Sequence, residues 1–80
     1  MVPDKKKPEW KDLITGNSNH KISSFSLQMK INSLRLVYQY GKITIDQAVE
    51  DLYQTCQKFE RIYQHDIDTI FNGQENKQKA

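Results

Sequence analysis

The stretch ITIDQAVEDLYQTCQKFERIYQHDIDTIF, residues 43–71, decides the fold. Its residues Ile45, Val49, Leu52, Cys56, Phe59, Tyr63 and Ile70 follow at alternating four- and three-residue steps, and Asp66 alone interrupts the series. Steps of that kind stack one apolar side chain per turn on a single stripe of an α-helix. Neither Pro nor Gly occurs between Gly41 and Gly73, and Asn72-Gly73 is a natural stop. The start is equally well marked. Gly41 suits the left-handed position beyond the end of a preceding helix. Thr44 is placed to cap the next helix, and Gln47 three residues on completes a capping box. Ile43 and Ala48 stand where a hydrophobic staple sits. The spacing predicts one helix over residues 44–72, about 42 Å long at the usual rise per residue.

Upstream, residues 22–40 carry two periods at once. Phe25, Leu27, Met29 and Ile31 alternate with polar residues, as in a strand. Leu27, Ile31, Leu34 and Tyr38 also follow helical steps, and Gln28, Met29, Lys30, Leu34, Arg35 and Leu36 favour helix. The stretch has no breaker and is long for a strand, and no second strand is available to pair with it. A helix over about residues 23–40 is expected, beginning near Ser23 or Ser24. A short helix over residues 8–15 precedes it. Pro8 suits a first helical turn, Trp10, Leu13 and Ile14 share a face, and Gly16 ends it. The fold expected is all-α: an antiparallel helical hairpin with the short N-terminal helix packed on its distal end, three helices in total. Residues 1–7 read as a flexible basic arm, 8–72 as one helical domain and 73–80 as a disordered polar tail.

The segment LRLVYQYGKITIDQAVEDL, residues 34–52, resembles a bacterial hairpin pattern in which a helix ends at Gly and an Ile-Thr pair opens the next. The short bacterial SHOCT domains have a similar G-x-I-T motif. The resemblance implies a helical hairpin and no activity.

The chain has 80 residues, 36% of them hydrophobic, and one cysteine. Chains of about 70–80 residues bury a core that barely offsets chain entropy. One cysteine excludes an internal disulfide framework and a Cys-rich zinc site. No apolar run approaches the roughly 20 residues of a membrane span. MVPDKKKPEW lacks the apolar stretch of a secretory signal, so a cytoplasmic protein is expected.

Candidate chemistry is sparse. Cys56 lies on the buried stripe between Leu52 and Phe59, away from any base that would form a thiolate. His65 has Asp68 three residues on but Arg61 four residues back, which is no ligand set. His20 falls in a turn-rich loop. Asp46, Glu50 and Asp51 crowd one edge of a helix start, where acids complement the dipole. Gly16, Gly41 and Gly73 are too far apart for a phosphate loop. No enzyme, cofactor or metal is expected.

Charge is unevenly spread. Residues 1–42 hold eight Lys and Arg against three acids, and residues 43–72 hold two against six, within a net charge of +2. Opposite halves favour docking of the second helix on the third. Lys5, Lys6, Lys7, Lys11 and Lys21 are the candidates for contact with an anion or nucleic acid. Against that stands a chain with ten Lys and two Arg, arginine being the usual base reader.

The hairpin lengths do not match, and about 15 Å of the long helix is left without a partner. Its apolar residues there are Ile62, Tyr63, Ile67, Ile70 and Phe71. The Trp10 helix or a second chain must cover them. Aromatic residues are numerous and suit interfaces. The contact surface expected is Tyr40, Tyr53, Ile62, Ile67, Phe71 and Trp10. The function expected is a small non-enzymatic protein-interaction module, a bacterial or phage regulator, adaptor or inhibitor acting on a partner protein or a second copy of itself. The alternative is a nucleic-acid accessory protein working through its basic arm.

Overall fold

The computed structural model describes residues 2–18 and 20–72. The polar tail over 73–80 lies outside the described residues. Four helices make up the fold: α1 Pro8–Thr15, α2 Phe25–Gln39, α3 Ile45–Lys58 and α4 Glu60–Asn72. No described helix is long and apolar enough to cross a membrane.

The ends of these helices follow local chemistry. Pro8 opens α1, and Gly16 closes it at φ 86°, its N–H bonded to the Asp12 carbonyl. Residues 25–39 are helical throughout, which settles the double period in favour of helix, with Ser24 at the N-cap. Gly41 sits at φ 74° beyond the end of α2. The Thr44 hydroxyl accepts from Gln47 N–H at 3.1 Å, and the Gln47 side chain accepts from Thr44 N–H at 2.9 Å. That reciprocal pair satisfies two of the donors a helix start leaves open.

One helix was expected over 44–72, and two are present. The break falls at Phe59, with φ −116° and ψ 38°. Phe59 N–H still bonds the Thr55 carbonyl, and the Phe59 carbonyl accepts from Ile62 and Tyr63 N–H, so Phe59 ends one helix and begins the next. No Gly or Pro marks the place. One local contributor is Thr55, whose hydroxyl donates back to the Asp51 carbonyl at 2.9 Å, a bond that bends helices. Beyond the bend, α4 buries Tyr63, Ile67 and Ile70. It also carries Asp66 to the start of α2. The carboxylate accepts from Ser23 N–H and Oγ at 2.8 Å each and from Ser24 N–H at 3.0 Å. The residue that interrupts the apolar series therefore closes the fold, placing a negative charge at the positive end of α2.

α1 packs against α2 and α3. Trp10 is fully buried, 5.7 Å edge-on to Tyr53 of α3 and 4.6 Å from Phe71 of α4. The N-terminal helix, expected on the distal end, packs mainly on α2 and α3 and reaches the distal helix through the Trp10–Phe71 contact. Arg35 of α2 donates to the last carbonyls of α1, Leu13 O at 2.7 Å and Ile14 O at 3.3 Å. The hairpin itself is joined by Lys30–Asp51 at 2.8 Å. The segment 2–7, expected as a flexible arm, touches this core in part, although residues 4–7 are exposed. Val2 packs on it, the Trp10 indole N–H donates to the Asp4 carbonyl at 3.0 Å, and Lys7 N–H closes a turn on the same carbonyl.

Candidate interaction face

α2 has two apolar faces. At 3.6 residues per turn, Leu27, Ile31 and Leu34 fall on one side, and all three are buried. Phe25, Met29, Leu36 and Tyr40 fall on the opposite side and are 77%, 51%, 52% and 76% exposed. Their spacing of four, seven and four residues keeps them on one stripe about 22 Å long. Asn32 and Ser33 occupy its middle and are also exposed. No acid occurs in α2, and its two cations are engaged elsewhere, Lys30 with Asp51 and Arg35 with the end of α1. The stripe is consequently an uncharged, largely apolar strip on the far side of the helix from the core. A second exposed pair, Phe59 at 39% and Ile62 at 65%, marks the elbow between α3 and α4.

The residues expected to form a contact surface are divided by the structure. Tyr40 and Ile62 lie at the surface. Trp10 and Ile67, 0% and 1% exposed, are core residues and are not available to a partner in this fold. Trp10 is buried where α1 packs on α2 and α3, and Ile67 lies on the inward side of α4. Phe71 and Tyr53 are half-buried, each against the Trp10 ring. The Tyr53 hydroxyl accepts from Gln57 Nε2 at 3.1 Å, and Lys5 Nζ lies 5.9 Å from the ring centre.

Phe25, Met29 and Leu36 were not among the residues expected at the surface. Their signal was present in the strand-like alternation of residues 25–31. In a helix, residues two apart are about 200° apart around the axis, so alternating apolar residues line two opposed faces. A period of two inside a helix is the trace of a helix apolar on both sides.

The lysines expected to meet an anion are scattered. Lys5 pairs with Glu50 at 2.5 Å. Hydrogen bonding to the Glu50 carboxylate raises the Lys5 pKa, and the same bond, followed by one from Gln54, lowers that of Glu50. Lys6 and Lys11 line a shallow depression with Lys5, but Asp46 and Glu50 line it too, so a phosphate there meets carboxylates. Lys7 and Lys21 are exposed on separate segments.

The titratable groups of the interior serve packing. Cys56 is buried, and its thiol is pushed up to about 12, first by burial and then by the Asp66 carboxylate. It stays protonated at neutral pH, which is the opposite of an activated nucleophile. Asp66 is held by Ser23 and Ser24, and Tyr63 OH shares a 2.9 Å hydrogen bond with Ser26 Oγ. Among the described residues no three His, Cys, Asp or Glu gather as a metal site.

Comparison with known proteins adds no relative: no family model matches the chain, and no curated protein or solved structure matches it. The likeness of residues 34–52 to SHOCT domains thus rests on the turn residues Gly41 and Thr44 and assigns no family.

Proposed function

We propose that this chain is a non-catalytic protein-interaction module whose binding surface is the outer face of α2. One observation carries the reading: Phe25, Met29, Leu36 and Tyr40 are exposed in line along the side of α2 opposite the core. Isolated exposed apolar residues are ordinary, but contiguous ones rimmed by polar side chains mark interaction sites. Here the rim is Gln28, Asn32 and Gln39 on one side and Ser26 and Ser33 on the other. Such a strip is the usual form of a helix that binds a second helix or a groove, with anchors at successive turns. The protonated Cys56 thiol and the carboxylates of Glu50, Asp51 and Asp66, each held in an ion pair or hydrogen bonds, support a binding role over a catalytic one. The acids beside Lys6 and Lys11 favour a polypeptide partner over nucleic acid.

Photo-crosslinking in the native cell tests the reading. A benzophenone amino acid replacing Leu36 is expected to give a discrete protein adduct, and the same group replacing the exposed Gln57 is expected to give none. Absence of any adduct at position 36, to a foreign protein or to the chain itself, removes the outer face of α2 as a binding surface.

A further inference from the structure

We infer that the occupant of the outer face of α2 is the same face of a second copy, packed antiparallel about a two-fold axis through the midpoint of the helix. The inference rests on the interaction reading above and names its partner. It starts from a symmetry of the strip. Phe25 and Tyr40 are equidistant from the midpoint between Asn32 and Ser33, and so are Met29 and Leu36. A two-fold axis at that midpoint places each residue opposite its mirror position in the other copy. Phe25 then faces Tyr40 and Met29 faces Leu36, each pair occurring twice, while Asn32 and Ser33 lie on opposite edges of the strip beside the axis. Ring meets ring, and thioether meets isobutyl.

Self-complementarity of this kind is what an isologous interface requires, because one patch must serve as both halves. A face evolved for a foreign helix has no need to read alike from both ends. In a parallel arrangement each residue would meet its own copy, Phe25 on Phe25 and Tyr40 on Tyr40, and the mirror spacing of the strip would have no role.

Charge and area agree. The strip carries no charge, and the cations of α2 are turned to Asp51 and to the end of α1, so two copies approach without like charges in contact. The acidic helices α3 and α4 lie on the other side of α2 from the contact. The four apolar side chains leave on the order of 500 Å² exposed per copy. Complete burial of that area in both copies gives about 1,000 Å² at most, the size of weak, transient interfaces. A shallow crossing near 20° keeps all four anchors engaged over the length of the strip. An interface of that size gives reversible dimers that form with rising concentration.

Sedimentation equilibrium of the full-length chain, from about 1 μM to about 1 mM, reads the association directly. The mass is expected to rise from 9.5 kDa towards twice that value. The register is read by two single variants, Met29→Glu and Leu36→Lys. Each alone places two charges against apolar side chains and is expected to weaken association about tenfold or more. Mixed in equal amounts, the two are expected to form a one-to-one dimer, because Glu at 29 then faces Lys at 36 while the remaining Leu36 and Met29 keep their native contact. Unchanged helical circular dichroism shows that each variant is folded. Two monomeric variants whose mixture stays monomeric overturn the antiparallel register. A wild-type chain that stays monomeric over the whole range overturns the second copy as occupant, and a foreign adduct at position 36 in the crosslinking experiment then leaves the interaction module standing with another partner.

Discussion

The inner and outer faces of α2 are built from the same materials. The inner face presents Leu27, Ile31 and Leu34, and the outer face presents Phe25, Met29, Leu36 and Tyr40. Neither set is the more apolar in any way that would tell a reader which side turns inward. The inner face is buried because α1 and α3 lie against it and because Asp66 fixes the start of α2 from the α4 side. Among the described residues the outer face stays exposed. Burial here is a property of the neighbours each face acquires and not of the residues it offers. That asymmetry is why the outer face is proposed as the binding surface.

The largest effects should separate the two faces. Ile31→Ala on the inner face is expected to cost about 2–5 kcal/mol, from lost transfer energy and a residual cavity. Leu36→Ala on the outer face, measured on the monomer at low concentration, is expected to change stability by about 0.5 kcal/mol or less. Urea denaturation followed by circular dichroism measures both. Similar losses for the two would mean that the outer face is covered by the chain itself, and the comparison would fail.

A smaller effect should come from the group that fastens the inner face. Asp66→Ala leaves Ser23 and Ser24 N–H without their acceptor and removes the charge at the start of α2. A loss of about 2–4 kcal/mol is expected. Asp66→Asn retains one acceptor oxygen and should lose less. Hydrogen exchange is expected to quicken first in α4 and at the start of α2, while the capped start of α3 at Thr44 stays protected. Uniform quickening would show that Asp66 does not act through this junction.

The smallest effect is a matter of pH. The Cys56 thiol rises from 9.0 to about 12 on folding. Above pH 9 the unfolded chain releases this proton and the folded chain keeps it, so the contribution of Cys56 is fully present below pH 9 and is lost as pH rises towards 12. The stability advantage of the wild type over Cys56→Ala should therefore shrink between pH 8 and pH 10. At pH 8 the native thiol should react with a disulfide reagent far more slowly than the same thiol in denaturant. Equal rates would place Cys56 at the surface.

Much of the architecture was legible in local chemistry. Pro8, Gly16, Gly41, and the Thr44–Gln47 pair mark helix ends because capping depends on residues within a few positions of one another. The elbow at Phe59 was not legible, since no Gly or Pro marks it and the contacts made beyond it, such as those of Asp66 with Ser23 and Ser24, are with residues distant in sequence. Asp66 looked like a gap in an apolar stripe. Its meaning required knowing which helix end it would meet. The contact surface followed the same rule. Tyr40 and Ile62 are exposed, whereas Ile67 lies in the core and Phe71 is half-buried against Trp10.

The sequence by itself determined that the chain is helical, where α1, α2 and α3 start, and that α2 carries apolar residues on a two-residue period. All of these are set by backbone sterics, capping and periodicity, which act over a few residues. Only the tertiary structure decided that the long helix bends, that Trp10 and Ile67 belong to the core, and that one apolar face of α2 is left in water. Those outcomes depend on which surfaces meet, and a pattern of periodicity is the same for a face that finds a partner as for one still waiting for it.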